Sequence, residues 1–279
     1  SVRSALTRMG SQTRGQTGTP RDKTKRCRAG RRGRGVPVCD GYGNRATSEM
    51  TRSILALVLF VTVSASPVAQ STALDTINEP RSGTPFPVSL TPPGDTTPHW
   101  IMGTGIRQRT IFRVKIYAFG LYVDPEGARA SLSRFARLPA STLARDESFY
   151  RHLLDLDFAM TLRLVMTRTV DGDDVAEAFD DALRPRMTRA VTDTNNAGEL
   201  AVLERFRGYF DVDEVRTGTE IVFSCGPAGR LATSVGGDER PPIDSRALCR
   251  ALFDVYLGED PISDDGKRSI IAGFPGLIG

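Results

Sequence analysis

Apolar and polar residues alternate along three segments near the middle of the chain, a pattern typical of β-strands that bury one face. Residues 99–106 and 110–123 follow each other closely and are rich in β-branched and aromatic residues. The longest segment, residues 154–170, places one apolar set on a single face: Leu156, Phe158, Met160, Leu162, Leu164 and Met166. Strands of this kind predict an antiparallel sheet that is covered on one side.

After Gly172 the apolar spacing lengthens to three and four residues, which predicts helices. The first helix carries Val175, Phe179, Ala182 and Leu183 on one side. Further helices are predicted over residues 128–137, 197–210 and 244–257, and from Ser263, as N-cap, to about Ala272.

A short hairpin interrupts these helices. Residues 219–224 and 229–235 are apolar and are joined by a turn that contains Gly226 and Pro227, while Pro241 and Pro242 introduce the next predicted helix. The order of strands, helices, hairpin and helices indicates an α+β fold in which helices cover a sheet.

The first 98 residues have a different character. Residues 1–49 are basic and rich in Gly, Arg, Thr and Ser, which predicts a disordered segment or sequence upstream of the protein itself. Residues 50–65 have the order of a signal peptide, with Arg52 after Met50, then an apolar run too short to span a bilayer, then small residues. Residues 66–98 are rich in Pro, Thr and Ser and predict a flexible segment with a short edge strand at 86–90.

The charge of the chain also differs between the N-terminal segment and the predicted domain, and this difference limits the ligands that the domain can bind. Although the whole chain has a formal net charge of +4, residues from Ser66 onward hold 24 basic and 30 acidic side chains. An acidic domain argues against binding to a phosphate backbone, so we expect no nucleic-acid partner. The signal peptide from Met50 predicts export to the periplasm or the medium, without a stable membrane span.

Two cysteines lie in the predicted domain. In an oxidising compartment Cys225 and Cys249 could form a disulfide or remain two buried free thiols. His99 and His152, the two histidines, lack ligand-like spacing with a cysteine, so no metal site is expected. The run Gly103-Thr104-Gly105-Ile106-Arg107-Gln108 lacks a sixth Gly or Ala and precedes a strand pattern, which excludes a dinucleotide fingerprint. We therefore expect no cofactor.

Several motifs together carry a family resemblance. The run Gly103-x-Gly105-x-Arg107, followed by residues 112–123, resembles the "G-x-G-x-R … F-x-K-x-x-A-x-G-x-Y" signature of the chalcone isomerase family. Residues 221–231 and 248–263 resemble the family's hairpin and late helix, so the resemblance covers nearly all of Pro85 to Gly279. It implies an open-faced β-sandwich, in which a large antiparallel sheet and a layer of helices hold a ligand cleft between them.

The same resemblance assigns the site. The family's isomerases use an Arg, which Arg107 matches, and a Thr, where this chain has Tyr117. Val175 and Ala182 replace a Tyr and an Asn of the first covering helix, and Cys249 stands at the polar position of the late helix. Three of the family's usual hydrogen-bonding side chains are thereby lost, which argues against efficient isomerisation.

The pair Arg107 and Tyr117 is similar to the site of the fatty-acid-binding branch of the family. There an Arg and a Tyr hold the carboxylate, so the resemblance implies that Arg107 and Tyr117 bind an apolar carboxylate such as a fatty acid. Val175, Phe179 and Ala182 would line the alkyl chain. No protein partner can be named from the sequence.

Three alternatives stay open. The protein could be an isomerase or lyase for a phenolic or enone substrate, with Arg107 as anchor and Tyr117 as acid. It could be a helper protein whose cleft is vestigial. Arg107 could also pair with a neighbouring acid, and Tyr117 would then be an ordinary sheet residue.

Overall fold

A seven-stranded antiparallel sheet forms the centre of the computed structural model, which describes residues 75–109, 114–190 and 196–279. The strands are β1 (Thr76–Asn78), β2 (Pro85–Pro87), β3 (Ser89–Leu90), β4 (His99–Arg109), β5 (Val114–Val123), β6 (Met160–Met166), β7 (Val170–Asp171), β8 (Glu214–Val215), β9 (Glu220–Cys225), β10 (Arg230–Val235) and β11 (Asp238–Asp244). The large sheet has the order β11-β10-β9-β6-β5-β4-β3, while β1 pairs with β2 and β7 with β8.

Seven α-helices accompany the strands in the described residues. They are α1 (Pro125–Ser131), α2 (Ala140–Leu143), α3 (Glu147–Leu154), α4 (Gly172–Ala190), α5 (Asn196–Arg207), α6 (Arg246–Leu257) and α7 (Asp264–Ile278). The predicted N-cap of the last helix is confirmed, since the Ser263 side chain accepts a hydrogen bond from the Gly266 amide. The predicted α+β class and the β9–β10 hairpin are confirmed as well.

The inner face of the sheet, which carries Phe119, Leu121, Leu162 and Leu164, packs into the main hydrophobic core with residues of the helices. The glycines of the Gly103-x-Gly105 run explain how closely α7 approaches β4. A Cβ at Gly103 would lie 2.5 Å from the Ser269 backbone, so a side chain there would displace the helix. This run therefore serves helix packing.

The opposite, outer face of the sheet is covered by the segment that precedes β4. Phe86 of β2 is fully buried against Ala118 and Tyr122 of β5. We expected a flexible segment over residues 66–98 with one strand at 86–90; in its described part, from residue 75, it contains the three short strands β1, β2 and β3. The signal peptide predicted over residues 50–65 and the segment of residues 1–49 lie outside the described residues.

The predicted strand over residues 154–170 is too long. Leu154 ends α3, β6 begins only at Met160, and Val170 belongs to the separate strand β7. Leu156 lies in the turn between α3 and β6 with a φ of 57°, a left-handed conformation that a strand cannot contain. Leu156 and Phe158 are buried nonetheless, so alternation of buried residues continued through a turn and imitated a strand.

Two further boundaries differ from the prediction. The helix predicted over residues 128–137 begins at Pro125, with Asp124 as N-cap, and ends at Ser131. Pro241 and Pro242 lie inside the edge strand β11 at an irregularity where its register with β10 shifts, a position that tolerates missing amide protons. Within the described ranges, no helix is long and apolar enough to cross a bilayer.

Candidate functional site

A cleft of about 370 Å³ opens between the inner face of the sheet and α4. Strands β4, β5, β6 and β9 form its floor, and α4 forms the opposite wall. Five of the six residues assigned to the site from sequence line it: Arg107, Tyr117, Val175, Phe179 and Ala182. The cleft therefore unites side chains that are far apart in the chain.

The strand register brings the floor residues together. Arg107 of β4 pairs with Tyr117 of β5, which pairs in turn with Met166 of β6. Directly opposed residues in antiparallel strands point to the same face, so all three enter the cleft. Leu164, two residues before Met166, and its partner Ile221 extend the apolar floor.

The wall of the cleft follows from helical periodicity. Val175, Phe179 and Ala182 are spaced four and three residues apart on α4 and thus share one face. Phe179 closes the deep side because it packs against further aromatic rings, with centroid distances of 5.2 Å to Phe210 and 5.6 Å to Phe223. The cleft is apolar at this end.

Arg107 and Tyr117 line the polar end of the cleft, and Tyr256 lies behind Tyr117. The hydroxyl oxygens of Tyr117 and Tyr256 are 2.9 Å apart and hydrogen-bonded. Burial raises the pKa of the Tyr117 phenol, while the adjacent positive charge of Arg107 and the hydrogen bond with Tyr256 partly oppose that rise. Burial and the neighbouring Tyr117 raise the pKa of Tyr256 well above its ordinary value. Both phenols are therefore neutral donors near neutral pH.

Sequence reasoning missed Tyr256. It lies on α6 seven residues after Cys249, hence on the same helical face, and is almost fully buried beside Phe119. A tyrosine on an otherwise apolar face was the available signal, because a buried phenol usually requires a hydrogen-bond partner. The residue of α6 that lines the cleft is Val255.

The assignment of Cys249 to the ligand site needs correction. Cys249 forms a disulfide with Cys225 of β9, and it is not among the residues that line the cleft. A sulfur in a disulfide has no S–H proton to donate, so Cys249 cannot supply a hydrogen bond to a ligand from its thiol. Its role is to attach α6 to the sheet, and of the two possibilities left open by the sequence the structure contains the bridge.

The mouth of the cleft is charged. Arg109, Arg168, Asp171 and Asp174 surround the entrance near Arg107. Among the residues that the structure describes, no carboxylate forms an ion pair with Arg107. Arg107 lines the cleft and is only partly exposed, so solvent screens its charge less than at the surface. The guanidinium can therefore attract an anion inside the cleft.

This arrangement can hold an anion at one end and apolar groups along the rest. The planar guanidinium of Arg107 can present parallel donors to a carboxylate, and the Tyr117 hydroxyl can add another. Val175 and Ala182 offer no hydrogen bonds from their side chains, so at these two positions the α4 wall contributes only apolar contact.

Comparisons with known proteins identify relatives of this chain. A family model described as chalcone isomerase like matches residues 97–271. Fatty-acid-binding protein 2 of Arabidopsis thaliana is 33% identical over 207 residues, which are 72% of this chain and 51% of that protein, so the chain spans about half the length of this relative. Fatty-acid-binding protein 1 of the same plant is 27% identical over 75% of this chain and 74% of its own.

An enzyme and a solved structure complete the comparison. A chalcone–flavanone isomerase of Oryza sativa subsp. japonica is 29% identical over 70% of this chain and 88% of its own. The crystal structure of an Arabidopsis thaliana fatty-acid-binding protein superposes with a TM-score of 0.63 at 26% identity, covering 73% of this chain and 99% of that one. The expected fold is thus confirmed, and the chain belongs to the chalcone isomerase-like family.

Proposed function

We propose that this protein binds a fatty acid or a similar apolar carboxylate in the cleft and does not transform it. The observation that carries the proposal is the position of Arg107, which lies beside Tyr117 at the polar end of an apolar cleft without an acidic partner among the described residues. A partly buried guanidinium without a counter-ion favours an anionic ligand, because the ligand would supply the missing charge.

The remainder of the cleft supports an alkyl chain as the rest of the ligand. Val175, Phe179 and Ala182 on one side and Leu164 and Ile221 on the other are apolar. The volume of about 370 Å³ lies near the lower end of the range usual for small-molecule sites. A flexible acid of medium length, such as laurate, is a suitable probe for such a cleft.

The same residues disfavour catalysis. Stabilising the charge that develops in an isomerisation requires donors on both sides of the reacting atoms, and each lost donor costs about 3 kcal/mol of transition-state stabilisation. Across from Arg107 and Tyr117 the wall presents Val175 and Ala182, neither of which can donate from its side chain. Two donors on one side suffice for binding a carboxylate.

Isothermal titration with laurate tests the proposal in the wild type, in Arg107→Gln and in Arg230→Gln. Hydrogen bonds to a charged group contribute about 1.5–3 kcal/mol, so Arg107→Gln should weaken laurate binding by roughly 10- to 150-fold. Arg230, a strand arginine that is 60% exposed and paired with Asp244, lies outside the cleft, and its substitution should leave the affinity unchanged.

The wild type is also assayed for cyclisation of a chalcone. Equal laurate affinity in the wild type and Arg107→Gln would contradict the proposed carboxylate site. Efficient turnover of the chalcone would contradict the non-catalytic part and favour the isomerase alternative.

We propose in addition that the domain is exported after cleavage near Ala65. The signal-like order of residues 50–65 supports this, and the Cys225–Cys249 disulfide is typical of an oxidising compartment. N-terminal sequencing of the protein from the extracytoplasmic fraction should find a start close to Ser66. Recovery of the protein only in the cytoplasm with both thiols free would contradict export.

A further inference from the structure

Tyr256 is buried behind the cleft and bonds to Tyr117. It is 1% exposed, does not line the cleft, and places its hydroxyl oxygen 2.9 Å from that of Tyr117. Among the described residues, Tyr117 is the single hydrogen-bond partner of the Tyr256 hydroxyl. The ring of Tyr256 is fixed by an edge-on contact with Phe119, at a centroid distance of 4.9 Å.

The burial of the two hydroxyls determines which one donates. If Tyr117 donated to Tyr256, the Tyr256 proton would be left in the protein interior without an acceptor in the described part of the chain, which is costly. If Tyr256 donates to Tyr117, the remaining proton belongs to Tyr117, which faces the cleft and can give it to water or to a ligand. The second direction is therefore favoured.

We propose that Tyr256 is a positioning residue: by donating to the Tyr117 oxygen, it directs the Tyr117 proton toward the carboxylate of a bound ligand. The inference rests on the proposed function of the cleft and extends it to a residue that touches no ligand. Arg107, whose guanidinium lies beside the same Tyr117 oxygen, acts in the same sense, because both neighbours supply hydrogens and leave Tyr117 to supply its own.

A double-mutant cycle with laurate as the probe tests this role. The four proteins are the wild type, Tyr117→Phe, Tyr256→Phe and the double variant, each titrated calorimetrically. Phenylalanine keeps the ring contact with Phe119, so the fold should persist, and urea unfolding of each variant verifies it. Tyr256→Phe should weaken binding by about fivefold in the wild-type background, as expected for a neutral hydrogen bond.

The second background separates a positioning role from a structural one. When Tyr117 is already Phe, Tyr256→Phe should change the laurate affinity by less than about twofold, because the hydroxyl through which it acts is gone. Tyr122→Phe is the matched control, since it removes another buried hydroxyl on the outer face of the sheet and should leave laurate binding unchanged.

A spectroscopic measurement reports on the ligand directly. With laurate labelled with carbon-13 at the carboxyl, the bound signal in Tyr256→Phe should move toward its position in Tyr117→Phe, and it should stay at the wild-type position in Tyr122→Phe. Equal losses of affinity from Tyr256→Phe in both backgrounds, or an unmoved carboxyl signal, would overturn the positioning role alone. A wild type that binds no laurate would overturn the proposed function together with it.

Discussion

The two faces of the sheet each bury a series of polar side chains, and the two series end differently. On the outer face, His99 Nδ1 lies 2.8 Å from Thr161 Oγ1, which donates to Ser224 Oγ at 2.9 Å. On the inner face, Tyr256 and Tyr117 bond to each other and end at Arg107 in an open cleft. The outer series is enclosed by protein, whereas the inner one faces a space that a ligand can fill.

The difference shows how a structural polar network can be told from a binding site. His99 and Thr161 are fully buried; their mutual hydrogen bond satisfies His99 Nδ1, and the Asp95 carboxylate lies 3.4 Å from His99 Nε2. Arg107 lines a cleft, and none of the ion pairs within the described ranges includes it. A polar group with unmet capacity beside empty space indicates ligand binding, and one that is satisfied internally indicates stability.

Removing the disulfide that links α6 to the sheet should cause the largest loss of stability. Cys225 and Cys249 are 24 residues apart, and a loop of that size stabilises by about 3 kcal/mol. Replacing both with Ala should lower the free energy of unfolding by about that amount relative to the oxidised wild type in urea denaturation. The reduced wild type should show a similar loss. A loss below about 1 kcal/mol would mean that packing alone holds α6, and with it Tyr256, in place.

Breaking the hydrogen bonds of Thr161 on the outer face should cause a smaller loss of stability. Thr161→Val keeps the shape but leaves His99 Nδ1 and the Ser224 hydroxyl without their bonds, which should destabilise the fold by about 2 kcal/mol. Laurate affinity of the folded variant should stay within twofold of the wild type, since the inner face is unchanged. A folded variant with strongly weakened binding would contradict the separation of the two faces.

The smallest effect is a pH dependence of stability from the outer face. Burial lowers the pKa of His99 in the folded state, with Asp95 and Asp124 partly opposing it. As pH falls below about 6.5, His99 therefore takes up a proton in the unfolded chain before it does so in the folded protein. The free energy of unfolding is retained above that pH and declines as pH falls through the lower, folded pKa of His99. Urea unfolding at a series of pH values should show this decline, reduced in His99→Gln; an equal decline in both proteins would assign it to other groups.

Much of the fold was predictable because periodicity reports burial. The apolar set from Leu156 to Met166 is buried throughout, and the α4 face with Val175, Phe179 and Ala182 lines the cleft. Periodicity does not report backbone conformation, which is why the turn at Leu156 was predicted as strand. Proline is compatible with an edge strand and with the start of a helix, so Pro241 and Pro242 were predicted to introduce α6, although they lie in the edge strand β11.

The site was predictable where a motif fixed it and uncertain where only helical phase did. The strand register places Arg107 opposite Tyr117 in the cleft. On α6, the choice of Cys249 followed from its being the polar position, but the disulfide occupies that sulfur and the hydroxyl near Tyr117 belongs to Tyr256. Which of two residues on one helical face reaches a site depends on how far the helix slides along the sheet, and sequence periodicity contains no such information.

The most direct test of the account is native mass spectrometry of the domain from Ser66, purified without added ligand, beside Arg107→Ala. The account predicts that the wild type retains a fatty acid or similar apolar carboxylate and that Arg107→Ala, folded, loses it. An empty wild type, or the same bound acid at the same occupancy in both proteins, would contradict the assignment of the inner face as a carboxylate-binding site.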